Sequence, residues 1–389
     1  MSGGTGPALL TFWASRGGGK TTFLTMVRDT YNSVMDVIPL GPWDANSVSS
    51  DHFAREVLAA VEAAPENKKK VVLLDNLDTL LGIDDGTAFF DFEREVVHPL
   101  IQRGDVLMIA TGRAEIIQWR EYNVRARQQN YRIPALTPGE TERLATGWHL
   151  DPARAYRLTL GHPQALCWLR DEAGLSEEEM AQRAVDYFLE GLSPRARELA
   201  EVVSLLPVFD VAVLRLLFPS QEGDSEGFYT DYLDRIAELR RAGLVLWSMD
   251  VGAYRFADST VRRLLARGYR HRDAADFARI HRLAADYYQD EARRAAYLHY
   301  SLVSALYHLA QTYWLEGPTV ASEQCLRWVR SNLGLWRGAD WDAVIQAWQT
   351  GAGDEAVAEE LKELIGSETV SQITSLLEAA RQAAKEVAA

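Results

Sequence analysis

Leu9-Leu10-Thr11-Phe12-Trp13-Ala14-Ser15-Arg16-Gly17-Gly18-Gly19-Lys20-Thr21-Thr22 is the stretch whose reading decides the fold. An apolar, β-prone run passes into a glycine loop. Gly-Lys-Thr-Thr then opens a helical pattern carried by Phe23, Leu24, Met26 and Val27. Strand, loop and helix in that order suit a phosphate-binding loop, in which glycines let consecutive backbone N–H groups turn inward where a Cβ would obstruct. Arg16, Gly17, Gly18, Gly19 and Thr22 would form the cradle, with Lys20 reaching the β/γ-phosphates and Thr21 offering its hydroxyl to Mg²⁺. The helix N-terminus adds a favourable dipole. Ala14 departs from the Gly-x4-Gly-Lys-Thr pattern, standing where its first glycine belongs.

The rest of the chain sets bounds on this reading. Its 389 residues exceed one ordinary core, so two to four domains are expected. A composition of 47% hydrophobic and 25% charged residues is that of a globular protein. The net charge of −14 argues against broad coating of nucleic acid or anionic membranes. Cys167 and Cys325 lie far apart without metal-ligand spacing and read as buried thiols in a reducing compartment. No basic region precedes the first apolar run, and no stretch approaches a membrane span, which predicts a cytoplasmic protein without membrane partners.

Residues 1–137 alternate apolar strands (8–14, 34–40, 70–75, 105–111 and 131–136) with helical patterns near 53–64 and 88–102. Strands spaced by helices imply a parallel sheet with helices on both faces, and ligands at the strands' carboxyl ends. Thr137-Pro138-Gly139-Glu140 has the form of a capped helix start, opening a helical domain at 138–192. Ser193-Pro194 caps the next helix. After a polar loop at 219–227 come a helix to Arg241, a hairpin signal turning at Asp250-Val251-Gly252, and a helix from Ser259, a winged-helix order over 193–270. Residues 271–389 read as amphipathic helices in a repeat-like array, as at Val370, Ile373, Leu377, Ala380, Ala384 and Val387.

A phosphate loop needs an acidic partner strand, and Lys70-Val71-Val72-Leu73-Leu74-Asp75 supplies one. Asp75 would bind the metal or its water shell. Asn76 follows, where many active P-loop ATPases place a glutamate, leaving Asp78 as the nearby carboxylate able to substitute. Arg113, just beyond the apolar strand Val106–Thr111, is placed to contact a γ-phosphate.

Asp75-Asn76-Leu77-Asp78-Thr79-Leu80, Thr111-Gly112-Arg113 and Gly161-His162-Pro163-Gln164-Ala165-Leu166 resemble, in order, three signatures of the STAND NTPases, which include the NACHT and NB-ARC groups. The resemblance implies an α/β P-loop NTPase domain followed by helical, winged-helix and C-terminal helical parts. It implies that Pro163 packs on the adenine of ATP or ADP. Tyr254-Arg255-Phe256-Ala257-Asp258 is similar to the family's wing motif, with Asp258 matching as a nucleotide contact and Ala257 replacing a histidine. The resemblance further implies a slow ATPase acting as a switch in signalling or defence. Nucleotide exchange would open the chain and drive assembly with separately encoded effector or sensor proteins or with its own copies. Because the first strand starts so early, neither a fused effector nor the family's segment ahead of the loop is expected.

Two other readings stay open. Arg262, Arg263, Arg267, Arg270, His271 and Arg272 form a basic run that fits DNA or phosphate binding by a winged-helix regulator, or alternatively a solvated face paired with acids. An AAA+-like ATPase is the third class. Trp314, Trp328, Trp336, Trp341 and Trp348 read as packing between the C-terminal helices.

Overall fold

The structure is a computed structural model describing residues 6–46, 49–218, 225–249 and 251–388. Residues 1–5, 219–224, Asp250 and the Val387 side chain, which entered the reading above, lie outside the described residues. Two compact units are present, Met1–Leu175 with Arg241–Leu244, and Ser176–Arg240 with Val245–Ala389. No helix among the described residues is long and apolar enough to cross a membrane.

The first unit is built on a parallel five-stranded sheet of β1 (Leu9–Trp13), β2 (Val37–Asp44), β3 (Lys69–Asp75), β4 (Val106–Gly112) and β5 (Gln128–Arg132), in the order β2-β3-β4-β1-β5. The connections carry α1 (Lys20–Asn32), α2 (Ser50–Ala63), α3 (residues 87–102, with a π-turn at Glu93–Val97) and α4 (Tyr122–Ala126). Alternation along β3 explains the layers. Val71 and Leu73 pack with Leu24 of α1 on one face, while Val72 and Leu74 join Phe53, Phe89, Val96 and Leu100 of α2 and α3 on the other. Helices thus cover both faces, as the apolar central strands require.

Two strands differ from the sequence reading. β2 extends past 40 because an irregularity between Leu40 and Trp43 absorbs Gly41 and Pro42 and lets pairing resume, bringing Asp44 level with Asp75. β5 is the polar segment Gln128–Arg132 rather than the apolar 131–136. Ile133 still donates to the Trp13 carbonyl at 2.8 Å, but Pro134 has no N–H to continue the ladder. An exposed edge strand needs no apolar alternation.

Beyond β5 stand α5 (Pro138–Gly147), α6 (Pro152–Thr159) and α7 (Pro163–Asp171). Thr137 and Glu140 form the reciprocal cap of α5 that their spacing predicts, with Thr137 N donating to Glu140 Oε2 at 2.8 Å. Gly161 then fixes where α7 begins. Its φ is +75°, Leu136 N donates to its carbonyl at 2.9 Å, and a Cβ there would sit 1.9 Å from the Leu136 oxygen.

The second unit opens with α8 (Glu177–Phe188), α9 (Pro194–Val203), α10 (Val211–Leu217) and α11 (Ser225–Arg241). An antiparallel hairpin follows, β6 (Val245–Ser248) with β7 (Ala253–Phe256), then α12 (Ser259–Arg272). The remainder is α13 (Ala274–Ala292), α14 (Leu298–Thr312), α15 (Pro318–Asn332), α16 (Trp341–Thr350) and α17 (Glu355–Ala388), the last broken at Gly366. Trp336, Trp341 and Trp348 are buried with Leu302, Ile373 and Leu377 in one core, whereas Trp314 is 39% exposed. Two polar groupings sit inside this unit. Arg262, 1% exposed, pairs with Glu360, and Tyr307 donates to the same carboxylate at 2.8 Å. His281 and His308 share a hydrogen bond between their Nδ1 atoms at 2.8 Å.

Candidate functional site

The loop between β1 and α1 is shaped by its glycines. Gly17 and Gly19 take φ of +72° and +86°, and a Cβ on Gly18 would lie 2.8 Å from the Cβ of Ala14. Ala14, whose own φ is not positive, therefore fits where the pattern has glycine because residue 18 gives it room. Gly19 caps α1 without a side chain, so the first-turn N–H groups are left for the loop. Lys20, 7% exposed, donates to the carbonyls of Ala14 and Ser15, both at 2.9 Å.

Asp75 sits at the carboxyl end of β3, 3% exposed and held from three sides. Thr21 Oγ1 donates to Oδ2 at 2.5 Å, Thr111 Oγ1 donates to Oδ1, and Asn76 N donates to Oδ1 at 3.1 Å. The Thr21 hydroxyl and the Asp75 carboxylate thus converge as hard oxygen donors. They fit Mg²⁺, a cation that takes one or two protein oxygens and keeps several waters.

Asn76 adopts φ +54°, which asparagine tolerates better than glutamate, and its Nδ2 donates to Asp44 Oδ1 at 3.1 Å. Asp78 accepts from the backbone N of Arg113 at 2.9 Å, while its Oδ1 is buried without a hydrogen-bond partner. Burial raises the Asp78 carboxyl above its ordinary range, opposed by the Arg113 hydrogen bond and the charges of Lys20 and Arg113.

A cleft of about 290 Å³ brings the loop, Asn76, Arg113 and Pro163 together. Arg16, Gly17, Gly19, Lys20, Thr21 and Thr22 line its floor, while Pro163, Gln164 and Cys167 of α7 line the facing wall. Gly18 lies beneath, against Ala14. The arrangement offers three cations and a row of N–H groups to an anion, with a proline beside them. Asp258 belongs to the second unit, where it caps α12 by accepting from Thr260 N at 2.9 Å.

Three contributors escaped the sequence reading. His162 is 1% exposed and reaches Ser15 of the loop, Nε2 to Oγ at 3.2 Å; its place between Gly161 and Pro163 was the available signal. Thr111 ended a recognised strand without being given a role. Asp44 had no signal, because only the irregularity in β2 brings it level with Asp75. Cys167, read as a buried thiol, is half-buried because its helix face lines the cleft, whereas Cys325 is buried as expected.

No protein-family model and no curated protein matches the chain. A solved structure does. The Aeropyrum pernix ORC2 protein, described in ADPNP–ADP complexes, is similar over 70% of this chain and 90% of that one, at 14% identity and a TM-score of 0.37.

Proposed function

We propose that this chain is a P-loop nucleotide switch of the STAND kind. The observation that carries the reading is the joint use of one cleft by Lys20, Arg113 and Pro163, above an Asp75 already gripped by Thr21 and Thr111. Lys20 and Arg113 would take the phosphates of ATP or ADP, with the first-turn N–H groups completing the cradle. Pro163 would lie against the base. Mg²⁺ held by Thr21 and Asp75 would neutralise phosphate charge. Arg113 distinguishes ATP from ADP by a contact that only the γ-phosphate offers, and differential affinity of this kind is what shifts a conformational population. The response passes to separately encoded partners or to other copies of the chain.

A second reading, an AAA+-like ATPase that turns over continuously, draws support from Asp78. Its carboxylate accepts from Arg113 N beside the cleft, and its buried, unpartnered Oδ1 would have to be uncovered on nucleotide binding to orient a water, a task Asn76, engaged with Asp44, does not take. One preparation separates the readings. Purified protein is denatured and the released nucleotide identified, then turnover is followed. Stoichiometric ADP with turnover well below about 1 s⁻¹ supports the switch, whereas sustained turnover above that rate supports the ATPase. A Lys20→Ala chain that keeps full nucleotide affinity refutes both.

A further inference from the structure

The residue ahead of α7 spends its side chain outside its own helix. His162 is the N-cap of α7, a position where Ser, Thr, Asp or Asn would accept from a first-turn N–H, yet it makes no such bond. Pro163 after it already removes one of those N–H groups. The His162 ring, 1% exposed, instead shares a hydrogen bond with the hydroxyl of Ser15, 8% exposed, Nε2 to Oγ at 3.2 Å. In a buried setting such a bond is stronger than in water, and loss of either partner strands the other.

The ring is aimed by a backbone held on both sides. Leu136 N donates to the Gly161 carbonyl at 2.9 Å, His162 N to the Thr159 carbonyl at 2.9 Å, and Leu166 N to the His162 carbonyl at 3.0 Å. Ser15 is in turn a hub of the glycine loop. Its carbonyl accepts from Gly18 N at 3.0 Å and from Lys20 Nζ at 2.9 Å, so the residue that meets His162 also shapes the turn and holds the ammonium. One position along, Pro163 faces Gly19, where a Cβ would lie 4.0 Å from the Pro163 Cγ. Pro163 and Gly19 line the cleft, whereas Ser15 and His162 stand behind it.

We infer that His162 is a positioning residue for the glycine loop: through Ser15 it clasps the loop to the start of α7, fixes the spacing between Gly19 and Pro163, and thereby sets the affinity for a nucleoside diphosphate. The inference rests on the nucleotide reading above and names what keeps that cleft at its working width. A loop already in place binds without first being ordered, so the clasp acts by preorganisation and slows release. It acts through the loop and the proline wall rather than through a metal ion. Its effect is therefore the same with and without Mg²⁺.

The test is ADP titrated by calorimetry into the full chain, into Ser15→Ala, His162→Phe and His162→Gln, and into the Ser15→Ala/His162→Phe double variant. Each is measured in Mg²⁺ and in EDTA, with a thermal melt alongside. Ser15→Ala, which removes only a hydroxyl, and His162→Phe, which keeps a ring of similar size, are each expected to weaken ADP by about five- to tenfold under both conditions. The double variant is expected to lose no more than the weaker single variant. His162→Gln, whose amide takes the place of Nε2, is expected to bind within about twofold of the unaltered chain. A chain that binds ADP with an affinity that Ser15→Ala leaves unchanged overturns the clasp, as do losses that add in the double variant. His162→Gln as weak as His162→Phe would show that the ring only fills space, and overturns it too. No ADP binding by the unaltered chain refutes the nucleotide reading itself, and the inference with it.

Discussion

Replacing Thr111 by valine isolates the hold on Asp75. Thr111 is fully buried at the end of β4 and nearly isosteric with valine, so neither cavity nor clash is introduced. What disappears is the hydroxyl that donates to Asp75 Oδ1 and accepts from Asn76 N at 3.2 Å. A hydrogen bond to a charged group contributes about 1.5–3 kcal/mol, which bounds the loss of stability. The carboxylate keeps two donors, Thr21 Oγ1 and Asn76 N, so it is loosened rather than freed. The lower bound then applies to binding, about 1.5 kcal/mol or slightly more than tenfold in ADP affinity with Mg²⁺ present. In EDTA the expected change is less than about twofold, because in the proposed switch Asp75 would meet the nucleotide through the metal. Calorimetry of ADP binding under the two conditions measures both. Equal weakening in each would show that Thr111 acts on the loop and refute the metal role of Asp75. Unchanged affinity in both would refute the grip itself.

Gly161→Ala is expected to cost about 2–5 kcal/mol in a denaturant melt, from the left-handed backbone plus the approach to the Leu136 carbonyl. Glu360→Gln leaves Arg262 a buried, uncompensated charge and is expected to destabilise by about 3–5 kcal/mol, while Arg262→Met with Glu360→Leu recovers most of it; additive losses in that double-mutant cycle would refute the pairing. The buried imidazoles give a pH signature. Burial holds His281 well below its ordinary value and His308 down to about 3, so stability is present above about pH 6.5 and falls with acidification, by about 1.4 kcal/mol per pH unit for each histidine. Urea melts between pH 7 and 5 measure the slope, and His308→Gln should roughly halve it.

The floor of the candidate cleft was legible in the sequence because a glycine loop is local: its glycines, lysine and threonine are consecutive, and backbone shape follows from residue type. Asp75 and Arg113 were legible for a related reason, each ending an apolar strand whose direction the parallel sheet dictates. Asp44 was not. Its alignment with Asp75 depends on an irregularity after Leu40 that has no residue-level signal. β5 was misplaced because apolarity was followed, although an edge strand is chosen by available ladder partners and ended here by Pro134. The α12 arginines were read either as a DNA- or phosphate-binding run or as a solvated face paired with acids, and Arg262, Arg263 and Arg270 do pair with acids. Their burial was invisible, because Glu360 and Glu363 arrive from a helix about a hundred residues away.

The bonds from Lys20 to the Ala14 and Ser15 carbonyls mean that, in the proposed switch, anion capture would be in part an exchange rather than an addition. A phosphate that takes an N–H already given to a carbonyl would displace that carbonyl, and one of the two belongs to the residue whose hydroxyl reaches His162. Measured affinity is therefore the difference between two sets of bonds, and it can be raised without touching a ligand contact, by weakening the loop's hold on its own lysine. Release of the Ser15 carbonyl would also reach His162 at the start of α7 through one covalent residue, so that binding would be felt first as something let go.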